Sequence, residues 1–143
     1  RLKNHNPDFT FTTDIIVGFP GESEADFQET IELVQAIKFA KVHMFPYSDR
    51  PKTRASRMPN KVSKNIIEER KQRLIKVAEK EARLLRSQYV GRTFNLLIEE
   101  KNRGYTENFL PVYVKGPRLR ENEIIRIKCV ENDRDELIGV YEK

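Results

Sequence analysis

The chain has one cysteine, no tryptophan, two histidines and two methionines in 143 residues. Each shortage removes a class of chemistry. A lone thiol, Cys129, excludes an intrachain disulfide and offers no paired-cysteine metal spacing. It alternates with Ile125 and Ile127, the pattern of a buried strand thiol rather than of a nucleophile. One cysteine also fits a reducing compartment. His5 and His43 stand far apart without a partner pattern, so neither a triad nor a zinc site is indicated, and no metal ligand set is expected. No apolar run approaches the ~20 residues that cross a bilayer. Arg1 to Asp8 lacks the apolar centre of a signal peptide. It also lacks an initiator methionine and opens in mid-pattern, as a piece of a longer polypeptide would.

Charge is abundant, at 34% of residues with a formal net charge of +5, and it is unevenly placed. Residues 1–59 hold 8 basic and 8 acidic groups, residues 60–89 hold 9 and 4, and residues 90–143 hold 10 and 10. The excess therefore lies in the middle, where a solvated helix face accounts for most of it. From Arg50 to Lys64, however, six bases (Arg50, Lys52, Arg54, Arg57, Lys61, Lys64) occur with no acid among them. A strip of that kind can hold phosphates.

The order of patterns sets the fold class, α/β followed by all-β. Ile15-Ile-Val17 predicts a short strand, and Gly18-Phe-Pro-Gly21 breaks it. Ser23 and Asp26 have the spacing of a capping box, opening a helix to about Lys38 with Phe27, Ile31 and Val34 on one face. Residues 40–45 predict a second strand, parallel to the first across the helical crossover. Two parallel strands cannot hide both faces, so this half needs more sheet than the chain supplies. Pro46, Pro51 and Pro59 punctuate a loop. A long helix follows over residues 63–88, with Ile67, Leu74, Ala78 and Leu85 on one stripe. From Gly91 the period becomes two, and four or five short strands in about 53 residues suggest a small closed antiparallel barrel. The expected organisation is residues 1–59 as a βαβ part, 60–89 as a basic connecting helix, and 90–143 as the barrel.

Three ordered stretches carry a resemblance. Thr13-Asp-Ile-Ile-Val-Gly-Phe-Pro-Gly-Glu22, Lys41-Val-His-Met-Phe-Pro-Tyr-Ser-Asp-Arg-Pro51 and Gly104-Tyr-Thr-Glu-Asn108 resemble the radical S-adenosylmethionine methylthiotransferases, in register along essentially the whole chain. Val42 to Ser48 and Thr106 to Val112 are most similar to the branch acting on threonylcarbamoyladenosine in tRNA. The resemblance implies that residues 1–59 are the last βα units of a partial (β/α) barrel. It also implies that residues 90–143 are the small RNA-binding β-barrel called TRAM, in a cytoplasmic protein with no membrane partner. The family adds a methylthio group to carbon 2 of the adenosine next to the anticodon, using S-adenosylmethionine and two [4Fe–4S] clusters. The cluster cysteines are not in this chain. No catalytic residue is therefore expected here, no cofactor is expected on this piece alone, and the piece alone is expected to be inactive. Its partners would be the tRNA anticodon stem-loop and the rest of the same polypeptide.

By the same resemblance, Ile16 and Gly18 would back the cofactor's adenine and ribose, and Phe45 and Pro46 would meet the adenine edge. Arg50, in a Tyr-Ser-x-Arg signature, would clamp the cofactor carboxylate or an RNA phosphate, since its planar fork binds either. The chain departs from the family at Lys52, where a glycine commonly follows Arg-Pro. On the barrel, Lys115, Arg118 and Arg120 are the best basic group, and Tyr105 and Asn108 could stack on or hydrogen-bond an unpaired base. Two other readings remain open. One changes the substrate to isopentenyladenosine tRNA or a ribosomal-protein aspartate. The other is a non-catalytic RNA-binding module.

Overall fold

A computed structural model describes residues 2–142. It forms two compact units, residues 11–81 and residues 1–10 with 82–143.

In the first unit, β1 (Thr12–Val17) and β2 (Lys41–Pro46) pair in parallel, from Thr12↔Lys41 to Val17↔Pro46. Between them runs α2 (Glu24–Ile37). Its start is the expected capping box: the Ser23 hydroxyl accepts from the Asp26 N–H, and the Asp26 carboxylate accepts from the Ser23 N–H. At its other end Lys38 takes the left-handed conformation, φ 57°, and its N–H donates to the Val34 carbonyl. Phe27, Ile31 and Val34 turn inward, as their helical spacing requires, and meet Val17, Phe39 and Leu74. Leu74 comes from α3 (Lys64–Ser87), the long helix expected from the stripe. Each such side chain fully buried is worth about 1.5–3 kcal/mol. Ile15, Val42 and Met44 pack against this core from one face of the strands. The opposite face shows Asp14, Ile16, His43 and Phe45 to solvent.

The second unit begins with α1 (Leu2–His5) and resumes with the last turns of α3. Five strands follow: β3 (Thr93–Glu100), β4 (Arg103–Thr106), β5 (Pro111–Lys115), β6 (Ile124–Asn132) and β7 (Leu137–Tyr141). They close into a barrel in the order β3-β4-β5-β7-β6. The expected barrel is present, but it is not wholly antiparallel, because β5 and β7 run parallel. The reason is counting: a closed ring with an odd number of strands cannot alternate direction throughout, so at least one seam must be parallel. The period-two residues fill the inside, with Leu96, Ile98, Val112, Val114, Ile127, Cys129 and Leu137 all essentially inaccessible. At Gly104 a Cβ would lie 1.8 Å from the Leu97 carbonyl oxygen, so only glycine fits that crossing of β3 and β4.

Side chains fix the ends of this unit. Arg86 on α3 donates to the Asn132 amide oxygen (3.3 Å) and the Arg134 carbonyl (2.7 Å), while Asn132 donates to the Arg83 carbonyl (2.9 Å). The segment after α1 is held by Arg92, which pairs with Asp8, and by Asn108, whose amide donates to the Asp8 carbonyl (3.2 Å). Among the described residues no helix is long and apolar enough to cross a membrane.

Candidate functional site

The chain leaves β1 at Val17 and turns at once. Gly18 has φ +77°, and a Cβ on it would sit 2.3 Å from Ile67 Cγ1 of α3. Helix packing and backbone conformation thus both require glycine here. The turn's free N–H groups are already satisfied. Gly18 N–H donates to Glu22 Oε2 at 2.7 Å and Phe19 N–H to the same oxygen at 3.3 Å. Glu22 is in turn held by Arg70, whose Nη1 lies 2.9 Å from Glu22 Oε1. Arg70 also reaches Glu24 (3.3 Å), which Arg73 meets at 2.7 Å. Those two bonds and charges, Arg73 foremost, hold the Glu24 carboxyl below its ordinary range. The Arg70 and Arg73 guanidinium groups lie 5.4 and 4.9 Å from the Phe27 ring centre. They bury its face at the start of α2.

This frame presents the strand ends. Ile16 and Phe45 are register partners, about half exposed at 54% and 51%, and lie on the face away from the core. Pro46 pairs with Val17, and the Tyr47 N–H closes the end of the sheet on the Val17 carbonyl at 2.8 Å. Four of the five residues expected around a cofactor, Ile16, Gly18, Phe45 and Pro46, are thus gathered at one end of two strands. Arg50 lies in the following loop, exposed, with no ion pair to any described carboxylate. Phe19 and Tyr47 meet edge to face at 5.5 Å in the same region.

The same face carries two residues absent from the expected set. Asp14 and His43 are register partners one step below Ile16 and Phe45, and both are exposed. Alternation along each strand, combined with parallel pairing, is the signal that finds them.

The donor set separates the two kinds of cofactor implied by the resemblance. An exposed apolar pair at the strand ends, and an arginine without an ion pair in the loop that follows, have the chemistry to meet a purine and a carboxylate. A [4Fe–4S] cluster needs cysteine thiolates. Cys129 is fully buried in the barrel and its thiol is pushed up to about 11 by that burial. Among the described residues no group of three His, Cys, Asp or Glu side chains is placed to hold a metal. The residues present do not fit a cluster.

On the barrel, Tyr105 is 44% exposed and lies 6.4 Å, ring centre to ring centre, from Phe109, which is 71% exposed. Phe109 was not foreseen. It stands in a left-handed turn, φ +60°, which the sequence does not announce. Tyr105 pairs with Leu97, and Leu97 with Ile124, so an exposed apolar row crosses three strands. Asn108 is engaged internally: its amide oxygen accepts from the Thr106 hydroxyl (2.6 Å) while its nitrogen holds Asp8. Of the basic group, Lys115 is paired with Glu131 at 3.0 Å and Arg118 with Glu121 at 3.6 Å, while Arg120 is exposed in the same loop.

No family model matches the chain. Individual proteins do. It is 38% identical over 142 residues to a tRNA-2-methylthio-N(6)-dimethylallyladenosine synthase of Caldicellulosiruptor saccharolyticus, covering 98% of this chain and 28% of that protein. It is 36% identical over 140 residues to the threonylcarbamoyladenosine tRNA methylthiotransferase MtaB of Bacillus subtilis, covering 92% and 31%. The Thermotoga maritima protein of the same name is 38% identical over 138 residues, covering 93% and 32%. The chain thus spans about a third of the length of the relatives it matches.

Proposed function

Because the chain belongs to the tRNA methylthiotransferases by homology along nearly its whole length, we propose that it is the cofactor-wall and RNA-docking part of such an enzyme. Residues 1–59 would contribute the last βα units of a partial (β/α) barrel, and residues 90–143 would serve as a TRAM-type RNA-binding domain. The proposed reaction is methylthiolation of carbon 2 of N6-threonylcarbamoyladenosine beside the anticodon. The observation that carries this reading is the homology, which reaches 98% of the chain. The side-by-side placement of Ile16 and Phe45 supports it.

In this reading Ile16 and Phe45 form the apolar wall for the adenine of S-adenosylmethionine, with the Gly18 and Pro46 backbone at its edge. Arg50 clamps the cofactor carboxylate in two-pronged fashion. When bound, the cofactor would supply the methyl group. The iron–sulfur ligands must come from outside these 143 residues, and the chain alone would be inactive. On the barrel, Tyr105 would stack on an unpaired base, Asn108 would hold the turn that presents it, and Lys115, Arg118 and Arg120 would line the approach.

A second substrate has a specific observation in its favour. The Caldicellulosiruptor relative, named for dimethylallyladenosine, is as similar as the two named for threonylcarbamoyladenosine. Nucleoside mass spectrometry of tRNA from cells lacking the gene separates the two. Loss of the methylthio group from threonylcarbamoyladenosine is the expected result. Loss from the dimethylallyl nucleoside instead would move the chain to the second substrate, and no change in either would overturn the enzyme reading.

A further inference from the structure

The charge of the barrel is largely spent on itself. Arg92, Lys101, Arg103, Lys115, Arg118 and Arg126 are each ion-paired with a carboxylate of the same unit. The loop between β2 and α3 is the reverse. Its acid, Asp49, is taken by Lys61 and by the Tyr47 hydroxyl. Lys52, Arg54 and Arg57 are exposed and make no ion pair with any described carboxylate.

The loop is also built rather than slack. The Thr53 hydroxyl donates to the Arg50 carbonyl (2.9 Å) and the Ser56 hydroxyl to the Thr53 carbonyl (2.8 Å). These bonds lead into a single 3-10 turn at Ala55–Arg57. The Gly21 N–H donates to the Asn60 carbonyl at 2.9 Å, tying the loop to the turn that follows β1. Lys52 stands at φ +70°, a conformation that glycine holds without strain and that lysine rarely adopts. Lys38, a helix cap, and Lys101, paired with Glu100, also take positive φ; Lys52 differs in standing exposed in an ordered loop with no ion pair to a described carboxylate.

We propose that Lys52, Arg54 and Arg57 bind backbone phosphates of RNA, so that the loop, not the barrel, supplies most of the charge-driven attraction for tRNA. The proposal rests on the tRNA reading above and adds to it a second contact surface. Its position explains its use. The loop starts where β2 ends, one residue past Pro46, and is pinned to the turn after Gly18. Phosphates laid along it would bring their nucleosides to the same strand ends that show Ile16 and Phe45. RNA suits the loop better than a lipid surface, since no large apolar side chain is exposed between Tyr47 and Ser63.

The test is tRNA binding by the intact chain at several salt concentrations, comparing three proteins: unaltered, Lys52→Gln with Arg54→Gln and Arg57→Gln, and Lys115→Gln with Arg118→Gln and Arg120→Gln. The loop variant is expected to bind about tenfold or more weakly near 0.1 M salt, with a slope of log K against log salt smaller by about 2 to 3. The barrel variant should lose less on both measures. Thermal melts and the single variants Arg54→Gln and Arg57→Gln, each expected to lower the slope by about 1, guard against a folding defect. Unchanged slopes in the loop variant, or the larger loss in the barrel variant, would overturn the loop assignment and leave the tRNA reading standing. Failure of the unaltered chain to bind tRNA would overturn both. Tighter binding to phosphatidylserine vesicles than to tRNA, abolished by the loop substitutions, would replace RNA with a membrane surface.

Discussion

Arg70 and Glu22, 48 residues apart in sequence, meet at 2.9 Å with side chains only 5% and 14% exposed. Through this pair α3 holds the turn after β1, because the other oxygen of Glu22 accepts the Gly18 and Phe19 N–H groups. Removing Arg70 leaves the part-buried Glu22 carboxylate without its counter-charge. Arg70→Ala is expected to cost about 3–5 kcal/mol in urea unfolding. Adding Glu22→Gln should restore about 1–2 kcal/mol, since glutamine keeps an acceptor for Gly18 without the unpaired charge. Strict additivity of the two substitutions would show that the pair does not act as a unit.

The barrel has its own point of failure. At Gly104 any side chain would collide with the Leu97 carbonyl, at 1.8 Å from the added carbon. Backbone cannot yield there as a flexible side chain would, because Leu97 is bonded to β4 on one side and β6 on the other. Gly104→Ala is expected to destabilise by about 3 kcal/mol or more, in the range reserved for core disruption. Far-ultraviolet dichroism and a melt would show it, and a melting temperature within a degree or two of the unaltered chain would disprove it.

What could be read in advance was local. The Ile15 to Val17 strand, the Ser23–Asp26 box and the helix stripe depend on neighbours within four residues, and all are present in the structure. Alternation at Phe94, Leu96 and Ile98, and again at Ile125, Ile127 and Cys129, gave the inside of the barrel. The parallel β5–β7 seam was missed, because it arises from ring closure and no stretch of sequence encodes it. Arg70 and Glu22 were missed for a related reason: a buried arginine on a charged helix looks like its solvated neighbours until its partner is known. Ile16 and Phe45 were legible as candidates from the family resemblance. That they stand as register partners on an open face, with Asp14 and His43 beneath, needed the pairing.

Cys129 offers a pH-dependent check. Burial raises its thiol from 9.0 to about 11. The folded chain therefore keeps a proton that the unfolded chain loses first. Stability from this group is complete below about pH 9 and falls as pH rises from 9 to about 11. Cys129→Ala should remove that part of the alkaline decline at a cost for the lost sulfur contacts. The same burial predicts slow labelling by a thiol reagent at pH 8 in the native chain and fast labelling of one thiol per chain in denaturant. Fast native labelling would contradict the buried placement.

Lys52 joins local strain to the charge of the loop. Left-handed backbone costs a side-chain-bearing residue about 1–2 kcal/mol, and glycine gives back roughly 0.5–1 kcal/mol through its freer unfolded chain. Lys52→Gly, which restores the residue the resemblance leads one to expect after Arg-Pro, should therefore stabilise the chain by up to about 1 kcal/mol in urea. It should at the same time lower the salt slope of tRNA binding by about 1, as one phosphate contact is lost. The two readouts move in opposite directions only if a strained lysine is retained for its charge. A gain in stability with no change in slope would leave the strain real and the charge idle, and would remove Lys52 from the phosphate track.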